Sequence, residues 1–386
     1  MKINLSNRAK LLGQSDIRAM SLECEKVKGI NLSQGVSDLP INPVVEQAAK
    51  RAIEKGINHY TRYDGLDELR QAIAGKLKRD NILEVDADKN IIVSSGATGA
   101  LYSAFLALLN PGDEIIILEP FYGYHLSTVL AVDLKPVFVS TAPPDWKIDF
   151  DRLEKSISSK TKGIIICTPA NPSGKVFTSG ELKQIGELVI KHDLLIFTDE
   201  IYEYFLYDGN KHVSPFSFPE FQEKTIMVSG YSKTFSITGW RIGYLVCDER
   251  YKEAIGDISD LVYVCAPAPL QTGVAQGIEK LDVSFYDNLK RIFAKKRDKI
   301  CAVLDKTGLT PYIPQGAYYV LSDVGRIPGR DSREKAMYIL RKTGVATVPG
   351  RAFYHGNGGD NLVRICFAKE DKVIDEACER LLKLKL

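Results

Sequence analysis

The chain has 386 residues, of which 45% are hydrophobic and 26% are charged, as in an ordinary folded globular protein. Its net charge is only +2 and it has no long basic run, which excludes the electrostatic signature of a protein that binds nucleic acid or an anionic membrane. The length predicts two or three domains, or one large α/β unit with a smaller companion.

The cysteines and histidines are not arranged as metal ligands. The seven cysteines are scattered without a CxxC pair, and the five histidines show no HExxH spacing. We therefore predict neither a disulfide framework nor a metal site. The first residues contain no apolar stretch of signal-peptide length, and no later stretch would span a bilayer. The expectation is a reduced, cytoplasmic compartment without a membrane partner.

The first thirty or so residues predict an arm and a helix, and a regular alternation follows from about residue 90 to 250. Apolar strand-like runs alternate there with helical patterns, and a capping-box pattern at Thr178 and Glu181 precedes one of the helices. Such continuous apolar strands between helices predict a mainly parallel sheet that is covered on both faces. The runs are "NIIVSSG" (90–96), "DEIIILEP" (113–120), "KPVFVST" (135–141), "KGIIIC" (162–167), "LLIFTDEIY" (194–202), "TIMVSG" (225–230) and "WRIGYLVCD" (240–248).

The pattern changes at about residue 284. A long charged helical pattern is followed by the shorter strand-like runs "GAYYVLSD", "VATVP" and "NLVRICFA", with helices between and after them. This part of the chain predicts a second, smaller α+β domain. The predicted domains are an N-terminal arm with part of the small domain (1–45), a large domain (46–283) and a small C-terminal domain (284–386).

Polar residues gather where the predicted strands end, and ligands of open α/β sheets bind outside the carboxyl ends of the strands. "SSGATGAL" (94–101) puts small residues at a strand-to-helix junction, where amides and the helix start favour an anion. Arg241 adds a cation that can face the same phosphate. Asp199 follows a very apolar strand, where a carboxylate needs a cationic partner, although a helix cap is an alternative. Lys233 is either an exposed loop lysine or a pocket lysine with a lowered pKa and a nucleophilic amine.

One lysine, one carboxylate, a phosphate site and an arginine together suit a phosphorylated pyridine aldehyde bound as a Schiff base. Over nearly its whole length the chain resembles the fold-type I pyridoxal-phosphate enzymes, specifically the class I/II aminotransferases. "SKTFSITGWRIGY" (232–244) carries the resemblance, together with "DEIY" and "NPSG" upstream. The resemblance implies an α/β fold with a mainly parallel, seven-stranded-type sheet in a large cofactor domain and a smaller α+β domain.

The resemblance implies catalytic roles for the matching residues. Lys233 would bind pyridoxal 5'-phosphate as a Schiff base and move the proton between Cα and the cofactor. Asp199 would pair with the pyridine nitrogen, which makes the ring an electron sink. Tyr202 and Asn171 would hydrogen-bond the phenolic oxygen of the ring. Tyr122 would stack on the ring, with plain core packing as the alternative.

It also implies binding roles at the two ends of the site. The residues that would bind the phosphate are Gly96, Ala97, Thr98, Ser232 and Arg241. Tyr60 would reach the phosphate of the partner subunit in a homodimer. The residues that would bind the substrate are Gly35, Asn171 and Arg364, of which Arg364 would hold the α-carboxylate with its planar fork.

The resulting expectation is a homodimeric aminotransferase that moves an amino group from an L-amino acid to a 2-oxo acid, with 2-oxoglutarate as the expected acceptor. A carbon–sulfur β-lyase with the same cofactor is one alternative, and a non-catalytic ligand sensor is another. The short arm before Gly35 leaves no room for the DNA-binding domain of such sensors. The preferred side chain stays open: Thr98 stands where some aspartate-preferring relatives carry a lysine, whereas "LSQG" (32–35) is similar to kynurenine and glutamine-type members.

Overall fold

The computed structural model describes residues 4–384. In this part of the chain, no helix is both long enough and apolar enough to cross a membrane. The helices α1 to α13 are, in chain order, Asn7–Leu11, Asp16–Lys26, Pro43–Glu54, Asp67–Asn81, Gly96–Leu108, Gly123–Ala131, Phe150–Lys155, Ser179–Lys191, Glu249–Tyr263, Ala268–Lys280, Val283–Lys306, Ser332–Thr343 and Asp371–Leu381. The strands β1 to β13 are Ile30–Asn31, Ile91–Ser95, Glu114–Glu119, Lys135–Ser140, Thr161–Cys167, Leu195–Asp199, Thr225–Gly230, Ile242–Val246, Thr310–Tyr312, Tyr319–Asp323, Val345–Ala346, Val348–Pro349 and Leu362–Cys366.

A seven-stranded sheet has the order β2-β8-β7-β6-β5-β3-β4. Its strands β7, β6, β5, β3 and β4 run parallel to one another, and β8 runs antiparallel to both β2 and β7. Strand β8 reverses because only residues 231–241 connect it to β7, and a parallel neighbour needs a longer crossover. The predicted, mainly parallel α/β sheet is confirmed.

The sheet is covered on both faces, as its apolar strands require. In β5, Ile165 packs into one hydrophobic cluster, while Ile164 and Ile166 pack into another. In β3, Ile117 and Ile116 divide between the same two clusters. Because successive side chains of a strand point to opposite faces, each strand contributes to both layers. This double burial explains why the strands lack polar alternation.

The helices that cover the sheet begin at capping residues. The capping box predicted at Thr178 and Glu181 is present at the start of α8, with both reciprocal hydrogen bonds. Asp248 caps α9 in a simpler way, since its side chain accepts a hydrogen bond from the Arg250 amide. These local sequence signals fix where two of the covering helices begin.

A second sheet is antiparallel and has the order β12-β13-β10-β9. The predicted single strand "VATVP" is wrong in detail, because it divides into β11, which pairs with β1, and β12, which pairs with β13. Strand β1 near the N-terminus therefore pairs with a strand near the C-terminus. The boundary predicted between residues 45 and 46 falls inside helix α3, and the division into domains stays a prediction.

Candidate active site

A cavity of about 410 Å³ opens at the carboxyl ends of the parallel strands, where ligands of open α/β sheets bind. The predicted site residues that line it are Ala97, Thr98, Tyr122, Asn171, Asp199, Tyr202, Ser232, Lys233 and Arg241. Segments far apart in the sequence thus supply one cavity. The predicted residues Gly96, Gly35 and Arg364 lie directly beside members of this set. Tyr60 is the exception.

Lys233 lies in the short connection that turns β7 back into β8, and its side chain is partly buried. Its Nζ donates a hydrogen bond to the Gly35 carbonyl at 3.3 Å. Desolvation, with smaller contributions from Arg241 and Arg364, lowers the pKa of Lys233 to about 8, although the negative charge of Asp199 opposes the shift. The neutral, nucleophilic form of this amine is therefore more populated near neutral pH than that of an ordinary lysine.

Asp199 ends strand β6 and is 5% exposed. Its Oδ2 lies 2.8 Å from Nε2 of His125, and its Oδ1 accepts a hydrogen bond from the Ile201 amide at 3.3 Å. Within residues 4–384, no lysine or arginine nitrogen lies within 4 Å of this carboxylate. A buried carboxylate with such partners can accept a cationic or N–H-bearing ring from the cavity.

His125 is the main polar residue of the site that the sequence did not predict. It follows Tyr122 by one helical turn at the start of α6, and "YGYH" at the end of a strand-to-helix connection was the available signal. Ligand atoms of His125, Cys167 and Asp199 lie within 4.8 Å of one another. However, His125 and Asp199 are hydrogen-bonded to each other, and burial raises the pKa of the Cys167 thiol well above its ordinary value. These facts favour a hydrogen-bonded set, and the absence of a metal stays a prediction.

The start of helix α5 forms a possible anion site with Arg241. Gly96 has a φ of +71°, and a Cβ there would lie 2.3 Å from Nη2 of Arg241. A Cβ on Gly243 would likewise lie 2.6 Å from the Ala97 amide nitrogen. Arg241 donates to the Thr238 carbonyl at 3.0 Å, and no carboxylate pairs with it in the described part of the chain. A helix N-terminus with an unpaired guanidinium beside it suits a phosphate.

Aromatic side chains and the amide of Asn171 form most of the remaining wall of the cavity. Tyr122 is only partly buried and lies with its ring parallel to Tyr124, at a centroid distance of 5.3 Å, so it is not a core side chain. The hydroxyl oxygen of Tyr202 lies 2.8 Å from that of Tyr319. Asn171 accepts a hydrogen bond from Nη1 of Arg364 at 2.8 Å. Ser232 is 6% exposed and lines the same cavity.

Arg364 is a buried charge without a counter-ion. It is 1% exposed, and its fixed partners are two neutral oxygens, that of Asn171 and the Ser33 carbonyl. Its guanidinium contacts the rings of Tyr319 and Phe353, with Cζ at 4.2 and 5.0 Å from the centroids. No carboxylate lies within 4 Å of it among the residues described, and its Nε has no hydrogen-bond partner. Such a charge is costly unless a ligand supplies an anion.

Gly35 and Tyr60 differ in their relation to the cavity. The Gly35 carbonyl accepts hydrogen bonds from Lys233 and Tyr318, and a Cβ on Gly35 would lie 1.9 Å from the Tyr319 hydroxyl. Only glycine fits there. Tyr60 is 84% exposed and does not reach the cavity of its own chain.

Known proteins are similar to this chain over almost its whole length. A family model described as aminotransferase class I and II matches residues 27–381. Aromatic-amino-acid aminotransferase 2 of Thermococcus litoralis is 31% identical over 383 residues and covers 98% of each chain. Kynurenine–oxoglutarate transaminase 3 of Homo sapiens is 32% identical and covers 92% of this chain and 84% of the relative. The structure of N-succinyldiaminopimelate aminotransferase from Mycobacterium tuberculosis matches with a TM-score of 0.95 at 30% identity, over 99% of this chain and 100% of that one.

We expect the amine of Lys233 to become reactive at a lower pH than the amines of exposed lysines. Burial disfavours the ammonium form, so half of the Lys233 amines should be neutral near pH 8, the pKa being about 8, whereas an unperturbed lysine reaches this point near about 10.4. Competitive labelling of the ligand-free protein with trace acetic anhydride, followed by peptide mass spectrometry, measures the midpoint for each lysine.

The variant Asp199→Asn is a directional control for this measurement. The carboxylate favours the ammonium form of Lys233, so its removal should lower the Lys233 midpoint further. Exposed lysines of the same sample are the internal reference. A Lys233 midpoint equal to that of the exposed lysines would contradict the desolvation of this amine.

Proposed function

We propose, from the premise that this chain belongs to the class I and II aminotransferases, that it binds pyridoxal phosphate at Lys233 and uses 2-oxoglutarate as amino-group acceptor. The protein is a transaminase that acts on amino acids and 2-oxo acids, and enzymes of its family depend on pyridoxal phosphate. One observation carries the proposal: two arginines without carboxylate partners among the described residues, Arg241 and Arg364, lie near Lys233, a buried amine with a lowered pKa.

The donor set fits pyridoxal phosphate from one end of the molecule to the other. The phosphate would lie at the start of α5 against Arg241, whose guanidinium comes close to this helix start because Gly96 has no side chain. The aldehyde carbon would be bound by the amine of Lys233. The protonated ring nitrogen would pair with Asp199, which needs a cation and has only neutral or N–H partners in the described chain. Tyr122 would lie against the ring face.

The phenolic oxygen of the cofactor would be held from the opposite side. Tyr202 lines the cavity with its hydroxyl and Asn171 with its amide. Because Nη1 of Arg364 already donates to Oδ1 of Asn171, the NH₂ group of this amide is free to donate to an anionic oxygen. The same oxygen would accept a hydrogen bond from Tyr202.

Pyridoxal phosphate bound here would supply an electron sink for the electron pair left on Cα of the substrate when its proton is removed. Asp199 favours this chemistry because it holds the proton on the ring nitrogen, and His125 orients the carboxylate through its hydrogen bond. Once the amino group of the substrate has displaced Lys233 from the aldehyde carbon of the cofactor, the freed neutral Nζ would take the proton from Cα and return it to that carbon. A base with a pKa near the working pH serves in both directions.

Arg364 would select the α-carboxylate of every substrate. Its two outer nitrogens are already oriented by Asn171 and the Ser33 carbonyl, so little side-chain entropy is lost when a carboxylate binds. No carboxylate among the described residues pairs with Arg364, so its positive charge is available to bind the carboxylate of a ligand. The amino-acid donor and the 2-oxo-acid acceptor both carry this carboxylate, which explains how one site serves both half-reactions.

We propose that the active unit is a homodimer in which Tyr60 reaches the phosphate of the partner subunit. Asp64, which is fully buried, anchors the base of this loop through ion pairs with Arg62, Arg70 and Lys252 at 2.9, 3.4 and 2.8 Å. Tyr60 nevertheless remains 84% exposed. An aromatic side chain presented by a fixed loop suits contact with a second copy. A cytoplasmic location is also proposed, since all seven cysteines are free.

Replacement of Lys233 by Ala should abolish the visible absorbance of the bound cofactor and nearly all turnover, because no other amine of the cavity lining can replace it. Borohydride reduction of the parent protein, followed by peptide mapping, should tag Lys233. Lys162→Ala, which changes an exposed lysine outside the cavity, is the control and should retain both properties. A tag on a different lysine would show that the assignment is wrong.

Arg364→Lys should lower kcat/KM by roughly 10- to 150-fold, since a charge-assisted bidentate pair contributes about 1.5–3 kcal/mol. The loss should be similar for all amino donors, because all of them carry the α-carboxylate. Initial rates for a panel of donors with 2-oxoglutarate, read as glutamate formation, test this. Arg250→Lys, in an exposed ion pair with Glu223, is the matched control. Discrimination among donor side chains without a general loss would contradict the role.

Tyr60→Phe should weaken cofactor retention by about 1–2 kcal/mol without abolishing turnover, because one of several phosphate contacts is lost. Two mixed dimers test whether the residue acts across the interface. In a dimer of the parent with Tyr60→Phe/Lys233→Ala, the only lysine-bearing site would face the altered residue and hold cofactor more weakly. In a dimer of Lys233→Ala with Tyr60→Phe, the lysine-bearing site would face an intact Tyr60 and match the parent.

Equal retention by these two mixed dimers would disprove the cross-subunit contact. Full activity of a dilute sample that sediments as a monomer would also disprove it. Both dimers contain one lysine-bearing site, so their comparison does not depend on the number of active sites.

A further inference from the structure

Tyr319 lies between two residues to which the proposed function gives different tasks. Its hydroxyl oxygen is 2.8 Å from that of Tyr202, and its ring centroid is 4.2 Å from Cζ of Arg364. None of these three side chains is more than 3% exposed. One tyrosine therefore contacts both the phenol that faces the cavity and the guanidinium that has no counter-ion.

The contact with Arg364 is set by strand register. In the antiparallel pair of β10 and β13, Leu321 is opposite Arg364 and Tyr319 is opposite Cys366. Tyr319 is therefore the diagonal neighbour of Arg364 on the same face of the sheet. The ring of Phe353 also contacts the guanidinium, with its centroid 5.0 Å from Cζ. Backbone pairing, rather than a loop, fixes the position of the tyrosine ring against the arginine.

The hydroxyl of Tyr319 shares a hydrogen bond with the hydroxyl of Tyr202. The backbone of Gly35 closes another side, since a Cβ there would lie 1.9 Å from this oxygen. A hydroxyl donates one proton and accepts two. The positive charge of Arg364 beside the ring favours Tyr319 as the donor of the shared bond. The proton of Tyr202 is then free to point into the cavity.

We propose that Tyr319 is a positioning residue for both ends of the reaction site: its hydroxyl directs the proton of Tyr202 toward the cavity, and its ring seats Arg364. The inference rests on the proposed function, in which Tyr202 donates to the phenolic oxygen of the cofactor and Arg364 binds the substrate carboxylate. The two contacts use different atoms of Tyr319, so two substitutions separate them.

Tyr319→Phe removes the hydroxyl and keeps the ring. In cofactor-loaded protein without substrate, the hydrogen bond from Tyr202 stabilises the deprotonated, more negative form of the bound cofactor. Loss of the Tyr319 hydroxyl should leave this bond less well directed. The visible absorbance of the bound cofactor changes when the cofactor loses its proton, and the pH midpoint of that change should rise by about 0.4–1 pH unit. The dissociation constant of 3-phenylpropanoate, an unreactive carboxylate, should stay unchanged because the ring over Arg364 remains.

Tyr319→Leu removes the ring as well. It should raise the same midpoint and also weaken 3-phenylpropanoate binding roughly 2- to 30-fold. Tyr207→Phe is the matched control, because Tyr207 is 2% exposed and its hydroxyl donates to the Ala317 carbonyl. This control should lower the melting temperature without moving the midpoint.

The outcomes separate the inference from the proposed function. If Tyr319→Phe has the midpoint of the parent, or if Tyr207→Phe shifts it equally, the positioning role is overturned while the proposed function stands. If the parent binds no cofactor, both are overturned. If Tyr319→Leu does not fold, Tyr319→Phe still decides whether the hydroxyl directs Tyr202, since it removes one oxygen and keeps the ring, and 3-phenylpropanoate binding that weakens in Tyr319→Phe would overturn the role of the ring.

Discussion

Two buried charges of opposite sign occupy one site without neutralising each other. Asp199 is 5% exposed and hydrogen-bonded to His125, and Arg364 is 1% exposed and bound to neutral oxygens. A buried charge costs several kcal/mol when no opposite charge compensates it. An ion pair between them would be the cheaper arrangement for the chain alone. The fold prevents that pair, and the chemistry of the site depends on its absence.

The two charges are kept apart because they belong to different sheets. Asp199 ends β6 of the seven-stranded sheet, whereas Arg364 lies in β13 of the antiparallel sheet. Asn171 joins the two sides by accepting a hydrogen bond from Arg364. An amide oxygen fixes the guanidinium without removing its charge, which a carboxylate at the same place would do. Asn171 thus orients the arginine, whereas the uncompensated charge of the guanidinium provides its affinity for an anion.

The sequence predicts the parts of the site that depend on local patterns. Lys233, Asp199 and Gly96 stand where apolar strands end, and parallel strands bring their carboxyl ends to one edge. Tyr319 could not be found in this way, because its hydroxyl contacts a residue 117 positions away. "YGYH" places His125 after a strand end, but it does not show the hydrogen bond with Asp199, 74 positions away. "VATVP" has strand composition throughout, but its pairing with β1 and then β13 is set by tertiary contacts. Local β-propensity thus indicates that the segment is extended, whereas tertiary packing determines which strand it pairs with.

The division between sheets also separates what stays bound from what is exchanged. In the proposed assignment the cofactor is held by Lys233, Asp199, Arg241 and the start of α5, all of which belong to the seven-stranded sheet or its connections. Arg364 is the charged contact from the other sheet. A substrate carboxylate would therefore be the exchanged ligand that Arg364 binds from the other sheet, and its departure would leave the cofactor in contact with Asp199, Arg241 and the start of α5. Alternating amino acids and 2-oxo acids can then exchange at one site while the cofactor remains bound.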